Sequence, residues 1–282
     1  MLQNMATLTN KAKQEKYGIA AACPMGPDQL AWCFEVADEM RSPLIICNNS
    51  SLSDYTIEEY GDMVAYYARK YEHIPTALCL DHGESYEHAA RGIRAGYTCV
   101  MVDKSMYSDD VNIREMKEVV RLAHAADVAV EAGLGGTSWR DPTPEEILEH
   151  MTKVDAFQRM VKETEVDAIA VFVGGSHGDH KKDGEAVLHY DLIEALRDAA
   201  PASLVMHGSS GTGDEKLAVA AKCGISKFNV AGDFFVNSVA EYETLYQEGR
   251  DMSLKELKGA LERGYKRRVA EYMTFLGSAH RI

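Results

Sequence analysis

The sequence predicts an α/β protein whose strands close into a (β/α)8 barrel of the TIM type. Three observations predict it. Short, apolar, β-rich runs recur along all 282 residues. Segments of helical period separate one run from the next. Polar residues capable of chemistry stand where the runs end, and such barrels collect their reacting groups at the carboxyl ends of the strands.

The runs are Tyr17–Cys23, Pro43–Asn48, Thr76–Leu80, Thr98–Asp103, Val128–Glu131, Ala168–Val173, Ser203–Met206 and Lys227–Val230. After the first, Asp28–Met40 places Leu30, Cys33, Phe34 and Ala37 on one helical face. The third and fourth enclose a complete β-α-β unit. Leu80-Asp81-His82-Gly83 ends a strand, Ala89 to Ala95 is helical, and Gly96 turns the chain into the next strand. Asn112–Ala125 repeats the helical pattern with Met116, Val119, Val120 and Ala123. Thr143-Pro144-Glu145-Glu146 opens a helix, with Thr as N-cap, Pro at the first position and Glu at the third. Asp191–Ala199 and Glu215–Cys223 are helical as well, and Gly224 closes the second as a C-cap glycine should.

The tail, 253–282, reads as one or two helices with Leu254, Leu257, Leu261, Tyr265, Val269, Tyr272 and Leu276 on a stripe. That stripe suits packing on the outside of the barrel or against another subunit. One domain therefore spans 1–282. An open doubly wound sheet would show a glycine-rich turn after its first strand. Ala22-Cys23-Pro24-Met25-Gly26-Pro27 is not one.

A formal net charge of -14 argues against a protein that wraps nucleic acid, which would show a basic face. No apolar run approaches the length of a membrane span. Residues 1–16 are polar and lysine-bearing, without the apolar core of a signal peptide. The six cysteines form no C-x-x-C pair, and most lie in or beside apolar runs. Reduced thiols and a cytoplasmic address follow as expectations.

At the strand ends stand Asp81, His82, Asp103, Glu131, His177, His207 and Asn229. A barrel brings them to one face. Among ten histidines, His82, His177 and His207 differ in following a strand and preceding a glycine. Three neutral imidazoles suit a catalytic zinc with an open fourth position. Gly178 and Gly208–Gly211 could turn backbone N–H groups toward an anion, with Ser210 adding a hydroxyl and Lys181 a charge.

Leu80-Asp81-His82-Gly83, Gly96–Asp103, Ser176-His177-Gly178, His207-Gly208-Ser209-Ser210-Gly211 and Asn229-Val230 together resemble the class II, zinc-dependent ketose-bisphosphate aldolase family, in its fructose/tagatose-bisphosphate branch. The resemblance covers nearly the whole chain. It implies reversible aldol cleavage of a ketose phosphate, or a related acidic sugar phosphate, to dihydroxyacetone phosphate and an aldehyde. It implies one catalytic zinc on His82, His177 and His207, with Asp81 as the acid/base. Gly178, Lys181, Gly208, Ser209, Ser210, Asn229, Ala231 and Gly232 would line the substrate site. Asp103 and Glu131 are the candidates for an accessory metal. By analogy, the chain would assemble as a dimer or tetramer.

Several positions depart from that family's pattern. Gly133 stands where a second glutamate is usual, and the acidic residues of the following loop are missing, with Asp141, Glu145 and Glu146 as candidate substitutes. The first strand ends in Cys23-Pro24 instead of Phe-Asn, Gly232 replaces a Thr or Ser, and His180 replaces a Tyr. These changes cluster on the substrate side and imply a divergent member whose sugar is not plain fructose 1,6-bisphosphate. Lys227 has no obvious partner in the sequence, so zinc rather than a Schiff-base lysine is the expected electron sink. The competing readings are a zinc-dependent hydrolase on the same barrel and a non-catalytic sugar-phosphate binder.

Overall fold

A computed structural model of the chain describes residues 2–49, 52–135, 143–174, 187–247 and 253–282. Helix α1 (Met5–Glu15) precedes β1 (Ile19–Ala22), α2 (Pro27–Met40), β2 (Leu44–Asn49) and α3 (Ile57–Lys70). Then come β3 (Thr76–Gly83), α4 (Tyr86–Arg94), β4 (Cys99–Val102), α5 (Asp109–His124) and β5 (Ala129–Leu134). Helices α6 (Pro144–His150) and α7 (Val154–Thr164) lead to β6 (Ala168–Val171), α8 (Tyr190–Ala199) and β7 (Ser203–Met206). The chain ends with α9 (Asp214–Cys223), β8 (Ile225–Val230), α10 (Gly232–Gln247) and α11 (Leu254–Phe275).

The strands pair in sequence order, all parallel, and β1 closes on β8. Every run named from the sequence overlaps its strand. Boundaries moved most at β3, which continues through Asp81 and His82 to Gly83, and at β5, which continues to Leu134.

Alternation along the strands builds two apolar layers. Outward residues such as Leu78, Leu80, Val100 and Val130 pack under the helices. Many inward residues are small: Ala21, Ala77, Ala129, Ala168 and Ala170, with the thiols of Cys47, Cys79 and Cys99. Small side chains leave room in the barrel for the long, fully buried Lys227. All six cysteines are free thiols.

Helix α1 fills the end of the barrel where strands begin. Met5, Leu8 and Ala12 join the interior cluster, Gln3 N–H donates to the Thr76 carbonyl, and Met5 N–H to the Thr98 carbonyl. Residues 1–16 look merely polar and lysine-bearing in sequence. Spacing of Met5, Leu8 and Ala12 at i, i+3 and i+7 is the signal that finds this helix. The stripe on α11 holds from Leu261 onward, but Leu254 is exposed. No helix among the described residues is long and apolar enough to cross a membrane.

Candidate functional site

Adjacent residues on a strand point to opposite faces, yet Asp81 and His82 both face the mouth of the barrel. The backbone explains this. His82 has φ 51°, in the left-handed region, and the β3–β4 register shifts between Leu80 and Gly83. That bulge turns His82 inward beside Asp81. Gly83 is required next to it, because a Cβ there would collide with the Met101 carbonyl oxygen. A strained non-glycine residue held by its surroundings is the kind of feature found at functional sites.

Asp81, His82 and His207 form a cluster whose ligand atoms all lie within 4.8 Å of one another. Each imidazole is held from behind by a carboxylate. His82 Nδ1 is 2.7 Å from Asp103 Oδ2, and His207 Nε2 is 2.9 Å from Glu131 Oε1. Carboxylates only accept, so both outer nitrogens carry the N–H. The inner nitrogens, His82 Nε2 and His207 Nδ1, then face each other at 3.1 Å. Two lone pairs at that distance require a proton or a metal ion between them. Carboxylate–imidazole pairs with lone pairs converging beside a third oxygen ligand are what a divalent cation site presents. The residues present therefore fit a metal.

The surrounding carboxylates favour positive charge at this cluster. Burial alone would lower the His82 pKa, but Asp81, the Asp103 hydrogen bond and charge, and Glu131 outweigh it and hold it up at about 9. Asp81 is 5% exposed and accepts a hydrogen bond from Asn229 Nδ2 at 3.0 Å. Asn229 Oδ1 is buried and has no hydrogen-bond partner among the described residues, which leaves an acceptor facing the site.

Behind the cluster lies an ion pair that the sequence reading missed. Lys227 Nζ sits 2.7 Å from Glu131 Oε2, and both side chains are 1% exposed. Burial works against the Glu131 charge, but Lys227 and His207 outweigh it and hold the carboxyl down at about 2. Burial likewise opposes the Lys227 charge, and its surroundings, Cys47, Glu131, Cys79 and Asp81, raise it well above the usual lysine range. The thiols are themselves pushed upward and stay neutral, so Glu131 is the counter-ion. The missed signal was alternation: Lys227 and Asn229 share the inward face of β8.

The expected accessory carboxylates thus have other partners. Glu131 binds Lys227 and His207, and Asp103 binds His82 and the Ser105 N–H. Of the substrate-side residues, Gly208 and Ser210 lie in the loop after β7, and Ala231 and Gly232 lead into α10. A Cβ built on Gly232 would lie 3.5 Å from Ser210 Oγ, so the two segments face each other. Ser209 is fully buried, and its hydroxyl donates to the Met206 carbonyl. Gly211 N–H donates to Asp233 Oδ1 at 2.9 Å, so it points away from the anion role read for that loop. His177, Gly178, Lys181 and Asp141 lie outside the described residues.

Comparison with known proteins agrees with this geometry. The family model described as fructose-bisphosphate aldolase class-II matches residues 3–281. A fructose-bisphosphate aldolase of Helicobacter pylori is 31% identical over 298 aligned residues, covering 96% of this chain and 97% of that protein. A 6-phospho-5-dehydro-2-deoxy-D-gluconate aldolase of Shouchella clausii is 33% identical, covering 86% of this chain and 85% of that protein. The crystal structure of the YdjI aldolase from Escherichia coli K12 superposes with a TM-score of 0.86 at 27% identity, covering 100% of this chain and 99% of that one.

Proposed function

Because the chain belongs to the class-II fructose-bisphosphate aldolase family, whose members are carbon–carbon lyases, we propose that it reversibly cleaves a ketose phosphate into dihydroxyacetone phosphate and an aldehyde. The observation that carries the assignment of roles is the Asp81–His82–His207 cluster with its carboxylate-backed imidazoles. His82 and His207 would hold a zinc ion, with His177 as third ligand. When bound, the ion supplies Lewis-acid polarisation of the substrate's oxygens.

The remaining work falls to the protein's own groups. Asp81 takes the hydroxyl proton at the aldehyde-derived oxygen during cleavage and returns it during condensation. Asn229 Nδ2 keeps the Asp81 carboxylate in place for that transfer. Asp103 and Glu131 fix the tautomers of His82 and His207, and Lys227 keeps Glu131 ionised. Gly208, Ser210, Ala231 and Gly232 bind the phosphate, joined by Gly178 and Lys181. Asp103 and Glu131 orient the histidines in this reading, so no second metal is needed.

The substrate we favour is an acidic sugar carrying one phosphate, rather than fructose 1,6-bisphosphate. Two considerations support this reading: the sequence departs from the family pattern at positions read as substrate-facing, and two relatives are named for a phosphorylated gluconate. The same proposal includes a cytoplasmic address and a dimer or tetramer.

Asp81→Ala tests the division of roles. It is expected to retain zinc while turnover drops about 100-fold or more. Loss of zinc from that variant would make Asp81 a ligand and overturn its assignment. Competing fructose 1,6-bisphosphate against a phosphorylated sugar acid tests the substrate; a higher kcat/KM for the bisphosphate would refute the preference.

A further inference from the structure

We propose that Asp233 is a positioning residue for the substrate's phosphate, set in place by Arg268 and Tyr272 of the C-terminal helix. The proposal rests on the reading above that the loop after β7 and the start of α10 form the phosphate subsite.

Asp233 follows Gly232 at the start of α10. Its backbone N–H donates to Ser210 Oγ at 3.1 Å, and its Oδ1 accepts the Gly211 N–H at 2.9 Å. These two bonds tie the β7–α9 loop to α10. On the other side, Oδ2 accepts from Tyr272 Oη at 2.6 Å and from Arg268 Nη2 at 3.1 Å. Arg268 reaches onward to Asp214, at the start of α9, through Nη1 at 2.8 Å, and to Glu271 at 2.9 Å. Its guanidinium lies 4.7 Å from the centroid of the Tyr272 ring. The Asp233 and Arg268 side chains are only 16% and 12% exposed, so the contacts are shielded from water.

The arrangement bears on the subsite in two ways. Ser210 accepts the Asp233 N–H, which fixes the hydroxyl oxygen's position beside Gly232. Gly211, at φ 73°, sends its own N–H to Asp233 and so sets the curvature of the loop that carries Gly208 and Ser210. A bare carboxylate beside a phosphate would repel it. Arg268 and the Tyr272 hydroxyl take up the Asp233 charge from the far side, so its influence on the phosphate is geometric. Burial, and then Asp233 itself, raise the Tyr272 pKa and keep that hydroxyl a donor.

The test compares wild type, Asp233→Ala, Asp233→Asn and Tyr272→Phe as zinc-loaded full-length proteins. It reads kcat, KM, inhibition by inorganic phosphate, zinc content and Tm. Asp233→Ala is expected to raise KM and the phosphate inhibition constant together, by roughly ten- to a hundredfold, with kcat within about twofold and zinc content unchanged. Asp233→Asn keeps an acceptor for Gly211 N–H and should recover most of the loss, with Tyr272→Phe in between. If Asp233→Ala does not fold, Tyr272→Phe carries the test on the same readouts. A phosphate inhibition constant that does not move would overturn the proposal. So would a parallel fall in kcat and Tm with KM unchanged, the outcome of a purely structural role. Wild-type enzyme that inorganic phosphate does not inhibit would instead remove the subsite reading, and the proposal with it.

Discussion

Replacing Lys227 by methionine would leave the Glu131 carboxylate, 1% exposed, without its cation. Methionine has nearly the same length and flexibility as the lysine stem, so packing changes little. Removing one member of a buried ion pair costs roughly 3–5 kcal/mol, because the other charge stays in the interior uncompensated. At roughly 2–4 °C per kcal/mol for a domain of this size, Lys227→Met should melt roughly 6–20 °C below wild type. The pH dependence follows from the Glu131 carboxyl, which is depressed from 4.5 to about 2. A depressed carboxyl stabilises the fold fully above its unfolded value and loses that contribution as pH falls through its folded value. Without Lys227 the carboxyl titrates higher and can neutralise itself, so the gap to wild type should narrow as pH falls from about 7 toward 4. Scanning fluorimetry of chelator-treated protein across that range measures both effects without contribution from metal. The double variant Glu131→Gln/Lys227→Met should recover part of the loss, since no charge is then stranded. A Lys227→Met protein within about 2 °C of wild type near neutral pH would refute the reasoning. So would a deficit that does not change with pH.

Three further outcomes follow from the geometry. Asp103→Asn weakens the partner that orients His82, and zinc affinity should drop by roughly 10- to 100-fold in a competition titration with a chromogenic chelator. Gly83→Ala forces a methyl group against the Met101 carbonyl, so chemical denaturation should show a loss of roughly 1–3 kcal/mol together with lost zinc binding. Ser253→Ala removes the capping box that opens α11, and the same measurement should show a loss of about 1 kcal/mol with kcat unchanged.

Alternation of apolar runs and helical segments made the barrel legible, because period 2 and period 3.6 are written directly into residue order. The Asp81-His82 pair was visible as an end-of-strand feature. Its bulge was not, since a left-handed φ at a histidine depends on what surrounds it. Glu131 and Lys227 are 96 residues apart in sequence, and only closure of the barrel brings them to 2.7 Å. The Asp233–Arg268–Tyr272 clamp was hidden for the same reason. Tyr272 was read as part of an apolar stripe, and the stripe does bury its ring while its hydroxyl reaches Asp233.

Release of dihydroxyacetone phosphate tests the central claim most directly. A coupled assay over a panel of ketose phosphates and phosphorylated sugar acids would be run on enzyme as purified, after exhaustive chelation, and after zinc is restored. The account predicts cleavage of at least one panel member, its loss on chelation and its return with zinc. Cleavage that survives complete removal of metal, or no cleavage of any member at full zinc occupancy, would contradict it.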